Sequence, residues 1–181
     1  MKIFITGGAK NGKSTLAQDL ALTLAQGRPR YYVATMIPSD EEDQERIRRH
    51  VADREGLGFQ TLECGRKITS CLEHADKSGT FLLDSATALL LNELFPDPTS
   101  CQMDREAPER CAAELTEFVN QVDTAIIVSD AIYSDALAYD EVTEFYRKGL
   151  AFVDRTMAKV CDTVLEVSAG NILVLKGDLL L

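Results

Sequence analysis

Lys13 and Ser14 close the run Gly7-Gly8-Ala9-Lys10-Asn11-Gly12-Lys13-Ser14, with Thr15 next. This is G-x-x-x-x-G-K-S, a spacing suited to holding phosphates. Its glycines let backbone N–H groups turn inward around phosphate oxygens, and a helix starting here adds positive potential. Lys13 can reach the β- and γ-phosphates, and the Ser14 hydroxyl can ligate Mg²⁺. The run follows the strand-like Lys2-Ile3-Phe4-Ile5-Thr6 and precedes an apolar-periodic helix, which is the context the motif requires. The chemistry implied is the binding of a nucleoside triphosphate, GTP or ATP. Such a site also needs a carboxylate to hold the metal and position water. Two acids end apolar runs, Asp84 after Phe81-Leu82-Leu83 and Asp130 after Ile126-Ile127-Val128-Ser129. Either could serve the metal, and either could only cap a helix.

A second group lies around His50. Arg46, Arg48, Arg49, His50 and Arg54 form a basic cluster in an acidic chain, and Arg46, His50 and Arg54 share one helix face at i, i+4, i+8. Two readings fit. One is a solvated helix face, with Glu42 pairing to Arg46 four residues on. The other is a phosphate-facing helix in which a neutral imidazole attacks phosphorus to give a covalent phosphoramidate. The arginines would then stabilise charge on the transferred group. His74 has no basic company and reads as structural. The N/T-K-x-D signature of guanine-specific switch GTPases is absent, as are C-x-x-C, H-E-x-x-H and serine-triad arrangements.

The elements that must position these groups alternate. After the loop, Leu16, Leu20 and Leu24 recur at i, i+4, i+8 beside Ala17 and Ala21, and Gly27 closes that helix. The following segments read as a strand from Tyr31 to Thr35, a polar helix from Ser39 to about Arg54 capped by Ser39 or Asp40, and a short strand from Phe59 to Leu62. Ile68, Cys71, Leu72 and Ala75 mark another helix. Next come a buried strand from Thr80 to Asp84, an apolar helix to Phe95, and a loop from Pro96 to about Arg105 containing Pro98. The second half reads as a helix from about Ala107, a strand from Ala125 to Ser129, a long helix from about Tyr139 and a strand from Thr163. Gly170-Asn171 then signals a hairpin into Ile172 to Lys176. This alternation predicts an α/β fold, a P-loop NTPase of the RecA-like kind. Its mainly parallel sheet carries helices on both faces and an antiparallel edge at the end. Gly7, Thr35, Asp84 and Asp130 should then converge at the carboxyl ends of the strands.

Composition limits the alternatives. The 181 residues, 45% of them apolar, suit one domain spanning 1–181. The net charge of −10, from 29 acids against 19 bases, argues against a nucleic-acid partner. No apolar run reaches the ~18 residues of a transmembrane helix, and the start is too short for a signal peptide. Five cysteines (Cys64, Cys71, Cys101, Cys111, Cys161) form no C-x-x-C pair and read as reduced thiols, so the expected compartment is the cytoplasm.

Behind its G-G-A-x-x-G-K-S loop the chain carries Tyr32-Val33-Ala34-Thr35, then Asp40, Glu42, Arg46-Ile47 and His50. In this it resembles the bifunctional adenosylcobinamide kinase / adenosylcobinamide-phosphate guanylyltransferase family of cobalamin synthesis. Arg54, Thr61, Glu63, Asp84, Thr87 and Asn92 extend the match. The resemblance implies phosphorylation of adenosylcobinamide at the P-loop, followed by transfer of GMP from GTP through a GMP–histidine at His50. Lys13 and Arg46 would assist, and Ser14 and Asp84 would hold Mg²⁺. Ala34, Thr35, Met36, Val51, Ala52, Asp53, Arg54, Glu63 and Asp84 would line the guanine nucleotide site. A corrinoid acceptor is implied, as is a homo-oligomer, trimers being known in the family. The second half departs from the pattern. Asp130-Ala131-Ile132-Tyr133 stands where the family has N-E-V-G, the G-x-G-I-V-P segment has no counterpart in Ser134 to Asp140, and Phe59 replaces a usual tryptophan. In the late helix Glu144, Tyr146, Arg147, Lys148, Ala151, Asp154 and Arg155 occupy the places of R-x-F-R-D-x-x-G-x-x-N-Q. These changes motivate the alternative of a P-loop kinase or nucleotide-binding protein with another acceptor and no guanylyl transfer.

Overall fold

Apolar residues on both faces of each inner strand require cover on both sides, and the fold supplies it. A computed structural model describes residues 1–97, 99–100 and 102–178, so Pro98 and Cys101 lie outside the described residues. The elements run β1 (Lys2–Gly7), α1 (Lys13–Ala25), β2 (Arg30–Ala34), α2 (Glu41–Ala52), β3 (Phe59–Glu63), a 3₁₀ helix (Ile68–His74), β4 (Thr80–Asp84) and α3 (Ala86–Leu94). Then follow α4 (Ala107–Gln121), β5 (Thr124–Val128), α5 (Glu141–Val160), β6 (Thr163–Ser168) and β7 (Asn171–Lys176). The seven strands pair in the order β3-β2-β4-β5-β1-β6-β7. All pairs are parallel except β6 with β7, the expected closing hairpin.

Alternation along the strands divides the core. Ile3, Ile5, Leu82, Ile126 and Val128 face α1, while Phe4, Phe81, Leu83, Ala125 and Ile127 face α3, α4 and α5. On α1 the buried stripe is Ala17, Leu20, Ala21 and Ala25; Leu16 and Leu24 are only partly covered. The periodicity predicted the helix, but the small residues turn toward the sheet because they let the backbones approach closely. The segment around Ile68 is a seven-residue 3₁₀ helix rather than an α-helix. It buries Ile68 and Leu72, and its cap residues, left-handed Lys67 and extended Ala75, leave no room for further turns. The Asp40 carboxylate accepts from the Asp43 N–H at 2.8 Å and caps α2, a helix with no buried residue at all. Among the described residues no helix is long and apolar enough to cross a membrane.

Three adjacent strands, β4, β5 and β1, end side by side at one edge. Their exits carry Asp84, Ser129-Asp130 and Gly7, and the phosphate loop rises from the third. Gly7 has φ +146°, and a side chain there would collide with the Val167 carbonyl of β6. This glycine therefore serves strand packing as well as the loop.

Candidate active site

The loop runs from β1 into α1 through Gly12, left-handed at φ 91°, and α1 starts at Lys13. Lys13 is 5% exposed, and its Nζ lies 2.7 Å from Asp130 Oδ1 and donates to the Gly8 carbonyl at 2.6 Å. The Ser14 hydroxyl donates to Asp84 Oδ2 at 3.1 Å, and the Tyr32 hydroxyl donates to the same oxygen at 2.9 Å. The two strand-ending acids thus separate: Asp84 holds the serine of the loop, Asp130 its lysine. Burial and the neighbouring Asp84 charge push the Tyr32 hydroxyl far above its ordinary range, so it remains a donor.

Above the loop lies a cavity of about 690 Å³. Its floor is Ala9 to Thr15 with Gln18, and α2 supplies Glu42, Arg46, Arg49, His50 and Asp53 from the opposite side. These α2 positions recur at helical spacing, so the face with His50 looks onto the loop. Val51 and Ala52 fall about 100° and 200° further round, and both are exposed. The ion pair of this helix joins Arg48 to Glu45 at 2.8 Å; among the described residues Glu42 makes none with Arg46.

A second cavity of about 540 Å³ adjoins the first, lined by Ala34, Met36, Ile37, Ile47, Arg54, Glu63 and Cys64 among others. Arg54 is 7% exposed, its guanidinium lies 3.4 Å from the centre of the Tyr32 ring, and its Nη1 has no hydrogen-bond partner among the described residues. An unpaired buried donor beside an empty volume suits an acceptor-bearing ligand. Arg46, His50 and Asp84 line both cavities. His50 is half-buried and stands at their common wall.

The structure therefore brings together Lys10, Asn11, Gly12, Lys13, Ser14, Arg46, His50, Asp53 and Asp84 around the first cavity, with Ala34, Met36, Arg54 and Glu63 around the second. Gly7, Gly8, Thr35, Val51 and Ala52 line neither. Thr35 is fully buried; its hydroxyl donates to the Ser85 carbonyl at 2.8 Å and accepts from the Ser85 N–H at 2.7 Å, joining the exits of β2 and β4. Asn92 supports that junction from α3, donating to the carbonyls of Thr35 and Gly65 at 2.7 and 2.9 Å. Reading the sequence missed Tyr32 as a partner of Asp84 and Asp130 as a partner of Lys13, since both contacts depend on strand order. As a hydroxyl and a carboxylate, Ser14 and Asp84 form an oxygen pair suited to Mg²⁺, which takes few protein ligands and completes its shell with phosphate and water.

Residues 3–175 match the family described as cobinamide kinase / cobinamide phosphate guanyltransferase. The bifunctional adenosylcobalamin biosynthesis protein CobP of Pseudomonas aeruginosa is 30% identical over 180 residues, covering 98% of this chain and 99% of the relative. The bifunctional adenosylcobalamin biosynthesis protein CobU of Salmonella typhimurium is 29% identical over 147 residues, 70% of this chain and 78% of its own. Among solved structures, the chain is similar in fold to an ATPase of a bacterial type III secretion system (TM-score 0.56, 14% identity, 92% of this chain and 51% of that one). It is likewise similar to the KaiC-like protein PH0186 of Pyrococcus horikoshii (TM-score 0.53, 15% identity, 97% and 79%). These two likenesses show the fold, the mainly parallel α/β sheet expected from the sequence.

Proposed function

Since this chain belongs to the cobinamide kinase / cobinamide phosphate guanyltransferase family, we propose that it phosphorylates adenosylcobinamide and then transfers GMP from GTP to the phosphate so formed. The observation that carries this reading is the placement of His50 beside Arg46 at the wall shared by the two cavities. In the first reaction the aminopropanol hydroxyl of the corrinoid attacks the γ-phosphorus of a triphosphate held over Lys13. The bond to the β-phosphate oxygen breaks, the nucleoside diphosphate leaves, and the hydroxyl proton passes to water. In the second, an imidazole nitrogen of His50 attacks the α-phosphorus of GTP. A nitrogen–phosphorus bond forms, pyrophosphate departs, and the imidazole proton is lost. An oxygen of the corrinoid phosphate then displaces the imidazole from that phosphorus, and the leaving nitrogen takes a proton back from water, which restores neutral His50. Arg46 and Arg49 face the charge that grows on the departing phosphates. Mg²⁺, which Ser14 and Asp84 would hold, neutralises triphosphate charge when bound. Arg54 and Glu63 offer a donor and an acceptor to a base in the second cavity. The same reading expects a homo-oligomer acting in the cytoplasm.

Incubation with α-labelled GTP tests the proposal. The protein should gain an acid-labile GMP label, and His50→Ala should abolish it while phosphorylation of adenosylcobinamide persists. A label that survives His50→Ala overturns the assignment of the nucleophile. Absence of label from the unaltered protein leaves a P-loop kinase without guanylyl transfer.

A further inference from the structure

Two cysteines come together beside the second cavity. Cys64, just past β3, is 6% exposed and lines that cavity. The chain then turns back through Gly65, Arg66 and Lys67 into the 3₁₀ helix. Residues three apart eclipse one another in such a helix, which sets Cys71 over Ile68. The Ile68 carbonyl oxygen lies 3.1 Å from Cys71 Sγ and 3.8 Å from Cys64 Sγ. The two sulfurs thus flank one atom, close enough for side-chain rotation to join them. The Ser70 hydroxyl, 3.6 Å from the Cys64 sulfur, stands beside the pair. Both thiols are free, and half-buried Cys71 packs against the core cluster that contains Cys64.

The backbone between them is held. Arg66 donates to the Asn92 and Phe95 carbonyls at 2.9 and 3.1 Å, and the Lys67 N–H donates to Glu93 Oε1 at 2.8 Å. Asn92 holds the Gly65 carbonyl at 2.9 Å. Three consecutive residues are therefore tied to α3 and its end, which keeps the sulfurs at this short separation.

We propose that Cys64 and Cys71 form a redox modification site: a small-molecule disulfide entering the second cavity converts them to a protein disulfide, and a nucleotide in that cavity protects them. The protection rests on the reading of that cavity as the nucleotide-base site.

The two sulfurs divide the work. Hydrogen bonding from Cys71 draws the Cys64 thiol below its ordinary range although burial opposes it, and the same contact with burial raises Cys71. Cys64 is the attacking thiolate. It attacks one sulfur of the reagent, whose S–S bond breaks; a mixed disulfide forms and one small thiolate leaves. Cys71 then loses its proton to solvent and attacks the Cys64 sulfur. The protein S–S bond forms and the second small thiolate leaves. The pair gives up two electrons, and the reagent is reduced to two thiols.

Oxidised glutathione, added to the full chain, is the probe. Trypsin cuts after Arg66 and after Lys67, so the two cysteines fall on separate peptides unless a disulfide joins them. Digestion without reductant should yield the joined pair, and reduction should release it. GTP at about ten times its dissociation constant leaves about a tenth of the sites open, so closure should slow about tenfold. Cys71→Ala should stop at a glutathione adduct on Cys64. Absence of the joined pair overturns the dithiol. Closure at an undiminished rate with GTP demonstrably bound overturns entry through the cavity. Failure of the reduced protein to bind GTP overturns the base-site reading and the protection with it, and the joined peptides tell that failure apart from failure of the dithiol.

Discussion

The exits of β4 and β5 lie side by side, each ends in an aspartate, and both aspartates face one loop. Asp84 accepts from two hydroxyls, Ser14 and Tyr32, and borders both cavities. Asp130 instead takes the ammonium of Lys13 at 2.7 Å and borders only the first. The difference is one of chemistry rather than position. Hydroxyls can share a carboxylate with a metal ion, whereas an ion pair competes with the phosphates that need the same lysine. Strand exits of equal appearance therefore divide into one whose hydroxyl partners suit a metal ion and one whose ion pair engages the loop lysine.

The largest effect should come from breaking the first exit. Asp84→Asn keeps the shape and the acceptor for Tyr32 but removes the charge a metal requires. We expect both phosphoryl and guanylyl transfer to fall on the order of a hundredfold at saturating Mg²⁺, with a rise in the Mg²⁺ concentration needed for half activity. Assaying both reactions against Mg²⁺ checks this. Unchanged Mg²⁺ dependence would move the metal role away from the β4 exit.

Much of this was legible in the residues. The G-x-x-x-x-G-K-S run predicts its own strand, turn and helix because every part of it is local in sequence. Both acids announce themselves by ending apolar runs. What the chain could not reveal is that β5 lies between β4 and β1, and only that order decides which acid meets Ser14 and which meets Lys13. Thr35, Val51 and Ala52 show the same limit on a smaller scale. They adjoin site residues in sequence, yet a strand junction claims one and helix rotation turns the others outward. Asp154 gave no local signal: an acid on a polar helix looks solvated until packing buries it.

A second prediction concerns what the β5 exit costs. Asp154, buried in α5 and accepting from the Tyr133 hydroxyl just past that exit, holds its proton more tightly when folded, at about 7, than at its ordinary 3.8. The folded state thus binds more protons than the unfolded state between these values, and stability falls as pH rises from about 4 through about 7. Asp154→Asn removes that dependence. By urea unfolding the variant should gain on the unaltered protein as pH is raised from 5 to 8, by on the order of 3 kcal/mol, with little further change above. Parallel pH profiles for the two proteins would show that Asp154 is not the group responsible. No comparable gain should follow neutralisation of Asp84, whose acceptor role is filled by two hydroxyl donors.

The smallest effect separates the two exits by sign. Lys13 is shared between Asp130 and the Gly8 carbonyl. A triphosphate must draw the ammonium away from Asp130, so part of its binding free energy is spent on breaking that pair. Asp130→Asn keeps a neutral acceptor at the same place and removes the competing charge. The pair is largely buried on the lysine side and open on the acid side, with side-chain exposures of 6% and 22%, which keeps its net strength near 1 kcal/mol. GTP affinity should therefore rise by about fivefold. The empty protein should melt at a slightly lower temperature, because Lys13 loses its counter-charge, and added GTP should erase that deficit. Thermal melts with and without GTP measure both effects at once. If Asp130→Asn instead weakened GTP binding as Asp84→Asn is expected to weaken Mg²⁺ binding, the two exits would share one role, and the contrast between them would fail.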